Sequence, residues 1–89
     1  MGFRMTVDDV FYIGDRGVVV TGKVDHGAVS AGSRIVVERD GRKVHTVTVN
    51  AVEFGSSKRA RETSDDVGLL LRELGKEDVA TGDVLRDGS

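Results

Sequence analysis

Carboxylates are the most numerous side chains able to do chemistry here, 15 Asp and Glu, and several come as adjacent pairs: Asp8-Asp9, Asp65-Asp66 and Glu77-Asp78. A general acid and its base must face one bond, whereas neighbouring residues on a strand point to opposite faces. The pairs therefore read as solvated turn and strand-end residues, not as catalytic dyads. Ser and His occur, but no spacing singles out a triad. Cysteine is absent, so a disulfide framework, a thiolate nucleophile and a thiolate metal site are all excluded. His26 and His45 are too few and too far apart in sequence to suggest a histidine metal cluster. The expectation is a protein with no catalytic residues, no metal and no cofactor.

One segment imitates a catalytic motif. Gly17-Val18-Val19-Val20-Thr21-Gly22-Lys23 matches most of the phosphate-loop pattern, but Val24 stands where a hydroxyl should meet Mg²⁺. Three consecutive valines favour a strand over a loop that wraps phosphate and leads into a helix. Met1-Gly2-Phe3-Arg4-Met5-Thr6 fits the loose myristoylation pattern. Phe3 and Met5 are better explained as inward positions of a first strand.

Lys58, Arg59 and Arg61 form a basic cluster that, together with Arg16, could contact phosphates, or could simply solvate a loop. Aromatic residues are scarce (Phe3, Phe11, Tyr12 and Phe54), too few for a stacking platform along a single strand but enough for one small pocket.

These residues must be held by short strands. Twelve glycines punctuate the 89 residues at close intervals, with β-branched residues between them, the rhythm of an all-β barrel or sandwich. Strands are expected from Phe3 to Ile13, with a shift of side-chain order around Val10 and Phe11, and from Gly17 to Val24 after a turn at Gly14-Asp15-Arg16-Gly17. Ile35–Arg39 leads into Asp40-Gly41, whose residues tolerate the positive φ angles of a type I′ hairpin turn. The return strand is expected to run from Lys43 to about Phe54. Val47, Val49 and Ala51 fall on one face and Val52 and Phe54 on the other, which requires a β-bulge near Ala51. Val67–Leu74 reads as a fifth strand, Lys76–Val79 as one helical turn, and Asp83–Arg86 as the last strand. No segment sustains a helical period.

Length and charge bound the rest. Eighty-nine residues make one domain with a modest stability margin. With 13 basic and 15 acidic residues well mixed, the net charge of −2 attracts no polyanion as a whole, so any nucleic-acid contact must be local. The longest apolar runs are far too short to span a bilayer, and no secretory segment opens the chain. A cytoplasmic monomer without a membrane partner is the default.

Asp8-Asp9-Val10-Phe11-Tyr12-Ile13, followed by Arg16-Gly17-Val18-Val19-Val20-Thr21-Gly22-Lys23-Val24, resembles the start of domain two of the elongation factor Tu family, which reads E-D-V-F-S-I and then G-R-G-T-V-V-T-G-R-V. The resemblance continues, in order and with compatible spacing, through Gly27, Gly32, Val52-Glu53-Phe54, Val67-Gly68-Leu69-Leu70-Leu71-Arg72, Lys76-Glu77-Asp78-Val79 and Gly82-Asp83-Val84-Leu85. It implies a small closed six-stranded β-barrel, here as a stand-alone domain. In the family this barrel forms part of the pocket for the aminoacylated 3′ end of tRNA. Carried over residue by residue, Asp8, Asp9, Phe11 and Thr21 would lie beside the amino-acid side chain and Glu53 beside the terminal adenosine. Arg16 falls on the arginine of G-R-G. Asp66 stands where the family has asparagine, exchanging an amide donor for a carboxylate. E-M-F is shortened to Glu53-Phe54, the loop after it is one residue shorter, and Gly14-Asp15 replaces the usual serine and glycine. The strand cores are kept while the mouth of the pocket changes. The resemblance thus implies a retained scaffold with altered recognition, engaging a tRNA 3′ end, the ribosome or a GTPase partner. The alternative is a protein-interaction or structural barrel that has lost RNA binding.

Overall fold

The computed structural model describes residues 2–53, 66–75 and 77–88. It is all-β: β1 (Arg4–Ile13), β2 (Gly17–His26), β3 (Arg34–Arg39), β4 (Arg42–Thr48), β5 (Ala51–Glu53), β6 (Asp66–Leu71) and β7 (Val84–Asp87). The strands form one sheet in the order β4-β3-β7-β1-β2-β6-β5, and every pairing in it is antiparallel. Among the described residues there is no helix. Where the helical turn is expected, at 76–79, the Asp78 N–H donates to the Gly75 carbonyl at 3.0 Å. Lys76 itself lies outside the described residues.

Alternation builds the core. Met5 and Val7 of β1, Val18, Val20 and Val24 of β2, and Leu69 and Leu71 of β6 all bury their side chains in one cluster. Ile35, Val37 and Leu85 join it from β3 and β7, and Phe3, Leu74 and Val79 close it from the connecting segments. The radius of gyration is 11.4 Å, against about 12 Å for a folded chain of this length. The β3–β4 hairpin turns at Asp40 and Gly41 with φ of 55° and 78°, both in the left-handed region that a type I′ turn demands.

The return strand departs from expectation in an informative way. It divides into β4 and β5, separated only by Val49 and Asn50. The Val49 N–H donates to the Ser33 carbonyl at 2.8 Å, beside β3, and the very next N–H, on Asn50, donates to the Leu70 carbonyl of β6 at 2.9 Å. One continuous stretch thus supplies both outer strands of the sheet, leaving β3 and joining β6 within two residues. The switch of faces falls at Asn50, one residue before the bulge expected at Ala51: Val47 and Val49 are buried, and Val52 packs against the same core. The crossing is held by side chains as well. The Thr48 N–H donates to Glu73 Oε1 at 2.8 Å, and Asn50 Oδ1 accepts from the Arg72 N–H at 2.7 Å.

Candidate functional site

The β1–β2 hairpin decides where the candidate residues stand. Val7 pairs with Gly22 but Asp9 pairs with Thr21, so Asp8 is the extra residue of a β-bulge. That insertion reverses the alternation of β1. Before it, Met5 and Val7 face the core; after it, Val10 packs against the core while Asp9 and Phe11 are exposed. The shift of side-chain order expected near Val10 and Phe11 therefore begins at Asp8. The bulge is braced from the β6–β7 connection. The Thr81 hydroxyl donates to the Asp8 carbonyl at 3.2 Å. The Gly82 N–H donates to the Val7 carbonyl and the Val7 N–H to the Asp83 carbonyl, both at 2.9 Å. Opposite the bulge, a Cβ on Gly22 would overlap the Thr6 carbonyl and lie 3.1 Å from Met5 Cε, so the close approach of β1 and β2 there requires glycine.

The register then assembles a row. Asp9 pairs with Thr21, Thr21 with Gly68, and Gly68 with Glu53, across β1, β2, β6 and β5. Residues paired in this way stand side by side, so three of the sequence-selected positions are brought into one line. Gly68, with no side chain, separates Thr21 from Glu53. The adjacent row toward the hairpin tip is apolar: Phe11, Val19, Leu70 and Ala51. Phe11 is half exposed and Leu70 is buried. On the other side of the polar row, Asp66 pairs with Lys23. Asp8 and Arg16 stand apart from this arrangement. Asp8 is exposed at the bulge, beside the row and not in it. Arg16 is exposed in the turn, where its N–H donates to the Ile13 carbonyl at 2.7 Å. Lys58, Arg59 and Arg61 lie outside the described residues.

Three positions belong to the arrangement that inspection of the sequence does not single out: Gly68, Val19 and Leu70. Gly68 was read only as part of a strand, because nothing local reveals that it lies between Thr21 and Glu53. The pairing of Val19 with Leu70 extends the surface of Phe11 across three further strands, and only long-range register shows it.

Behind the bulge lies the one buried charged residue among those described, Asp83. Arg39 grips it with two bonds, Nε to Oδ1 at 2.9 Å and Nη2 to Oδ2 at 2.8 Å, and the Ala80 N–H adds a third at 2.8 Å. Burial pushes this carboxyl up, but the hydrogen bonds from Arg39 and Ala80, with the charges of Arg39 and His45, outweigh it and hold the pKa below the usual aspartate range. Arg39 is raised in turn, first by its hydrogen bond to Asp83 and then by that residue's charge.

Among the described residues no cluster of three His, Cys, Asp or Glu side chains could hold a metal ion. The Gly17–Lys23 segment is strand throughout, and no helix of the described residues is long and apolar enough to cross a membrane. No protein-family model matches the chain.

Proposed function

We propose that the chain is a non-catalytic binding module of the elongation factor domain-two type, acting in cytoplasmic translation, with the Asp9–Thr21–Gly68–Glu53 row as the floor of a site for a tRNA 3′ end. One observation carries this reading. Asp9, Thr21 and Glu53, each selected by its place in a short sequence pattern and separated by up to 44 positions, occupy one cross-strand row, with the apolar row of Phe11 beside it. Four strands spaced about 4.8 Å apart make the row about 14 Å long, which suits a terminal nucleoside lying across it. The same length favours binding over catalysis, because paired carboxylates that act on one bond sit about 5–9.5 Å apart. The closed six-stranded barrel belongs to this proposal. Its support is the transfer of hydrogen bonding from Ser33 to Leu70 at Val49 and Asn50, since β4 and β5 counted as one bent strand make six strands with no free edge.

A second reading, a barrel that binds a protein partner such as a GTPase, has its own support in the apolar hairpin tip at Phe11, Tyr12 and Ile13.

An NMR titration of the ¹⁵N-labelled chain with aminoacyl-tRNA and with uncharged tRNA, at low and moderate salt, separates them. The tRNA reading expects shifts at Asp9, Phe11, Thr21, Glu53 and Asp66, larger for the charged tRNA, and weakening steeply with salt. Silence at both salts, or shifts untouched by Glu53→Ala, would remove the row from consideration as an RNA site.

A further inference from the structure

The hairpin tip carries a second surface. Among the described residues, three of the four large apolar side chains that remain exposed are consecutive: Phe11 at 50%, Tyr12 at 56% and Ile13 at 40%. Alternation along β1 divides them between the two faces of the hairpin, so Tyr12 stands on the side opposite Phe11. Tyr12 pairs with Val18, whose side chain is buried, whereas Phe11 pairs with Val19 in the outer row. The tyrosine therefore lies on the other side of the hairpin from the Asp9–Glu53 row. There it lines an open depression of about 350 Å³ together with Gly75, Glu77 and Asp78.

The charges around this depression select its occupant. Glu77 is exposed. Asp78 is held in place through Oδ2, which accepts from the Gly75 N–H at 2.7 Å, and its Oδ1 is 3.7 Å from His45 Nε2. A cation entering here would meet two carboxylates and the face or edge of a phenol ring, a combination in which carboxylate attraction and cation–π attraction act together. Among the described lining residues, a phosphate would meet two like charges. The volume is at the bottom of the range for small-molecule sites, which suits a single side chain rather than a nucleotide.

We propose that this corner docks a protein segment that places one arginine or lysine against Tyr12, Glu77 and Asp78. The site is separate from the Asp9–Glu53 row and does not depend on that row binding RNA.

The test is an NMR titration of the ¹⁵N-labelled chain with three capped tripeptides, Leu-Arg-Leu, Leu-citrulline-Leu and Leu-Glu-Leu, and with a CCA trinucleotide. The expected result is a set of shifts at Tyr12, Gly75, Glu77 and Asp78 for the arginine peptide alone. Tyr12→Ser and Glu77→Gln, both at exposed positions, should each weaken it by about fivefold, with the rest of the spectrum unchanged. Equal shifts from the citrulline peptide would overturn the charge selection. Shifts at these amides from the trinucleotide, or an affinity unaffected by Glu77→Gln, would overturn the proposal as a whole. Should Tyr12→Ser perturb the fold, the peptide charge series and Glu77→Gln decide alone. Failure at this corner leaves the tRNA titration untouched, because that reads Asp9, Thr21 and Glu53.

Discussion

Asp83 shows how one side chain can link a distant strand to the candidate row. It is nearly inaccessible, yet it stays ionised because Arg39 and the Ala80 N–H supply three hydrogen bonds. Its neighbours Thr81 and Gly82 then bond to the carbonyls of Asp8 and Val7, so the bulge that turns Asp9 outward rests on a loop fixed by this ion pair. The folded pKa of Asp83 is depressed, so its stabilisation is fully present above the unfolded aspartate value of about 3.9 and is lost as the pH falls through the folded value. Asp83→Asn is therefore expected to be less stable than the wild type at pH 7, and the gap should narrow progressively as the pH falls below about 4. Urea unfolding of both proteins at pH 7 and pH 3 reads this directly. A gap undiminished at the lower pH would show that the residue acts through packing and not through its charge.

At the scale of elements, the crossing between β4 and β5 matters most. Residues 48–50 make backbone bonds to both sides of the sheet and side-chain bonds to the segment after β6. Asparagine at position 50 is suited to this: its Oδ1 satisfies the Arg72 N–H that the end of β6 would otherwise leave to solvent. Asn50→Ala should cost about 1 kcal/mol, the net worth of one exposed hydrogen bond, and should speed hydrogen exchange at the Arg72 amide. Unchanged exchange there would mean that the bond does not hold the crossing in solution. The β1 bulge is the other decisive irregularity, since a one-residue slip in a strand carries every following side chain to the opposite face. Without it Asp9 would point into the core and Val10 into water.

For the whole molecule, the consequence of one stretch carrying both outer strands is mechanical coupling. The β3–β4 hairpin and the β5–β6 pair lie at opposite ends of the strand order, yet they share the stretch from Arg42 to Glu53. Opening either end strains the other, so the protein should unfold as a single cooperative unit. Hydrogen exchange under native conditions tests this: amides of Val37 and Val47 should exchange with the same opening free energy as those of Leu69 and Leu71. A β3–β4 hairpin that opens at distinctly lower free energy would indicate an open sheet in which the two ends are independent.

What the sequence determined by itself is whatever is encoded locally. Three consecutive valines identified β2 as a strand despite its phosphate-loop spacing, Asp40-Gly41 announced the type I′ turn, and the reversal of apolar pattern before Val52 announced an irregularity within one residue of Asn50. The strand ends moved by only a few residues, because turn chemistry and alternation act over short distances. Tertiary structure decided the rest. The pairing of Asp9 with Thr21 depends on one inserted residue at Asp8, and the placement of Glu53 beside Gly68 depends on a chain that leaves β3 for β6. Neither follows from the residues' immediate neighbours. Both are fixed by strand pairing between positions 12 and 15 residues apart in sequence, around the shared core of Met5, Val20, Leu69 and Leu85.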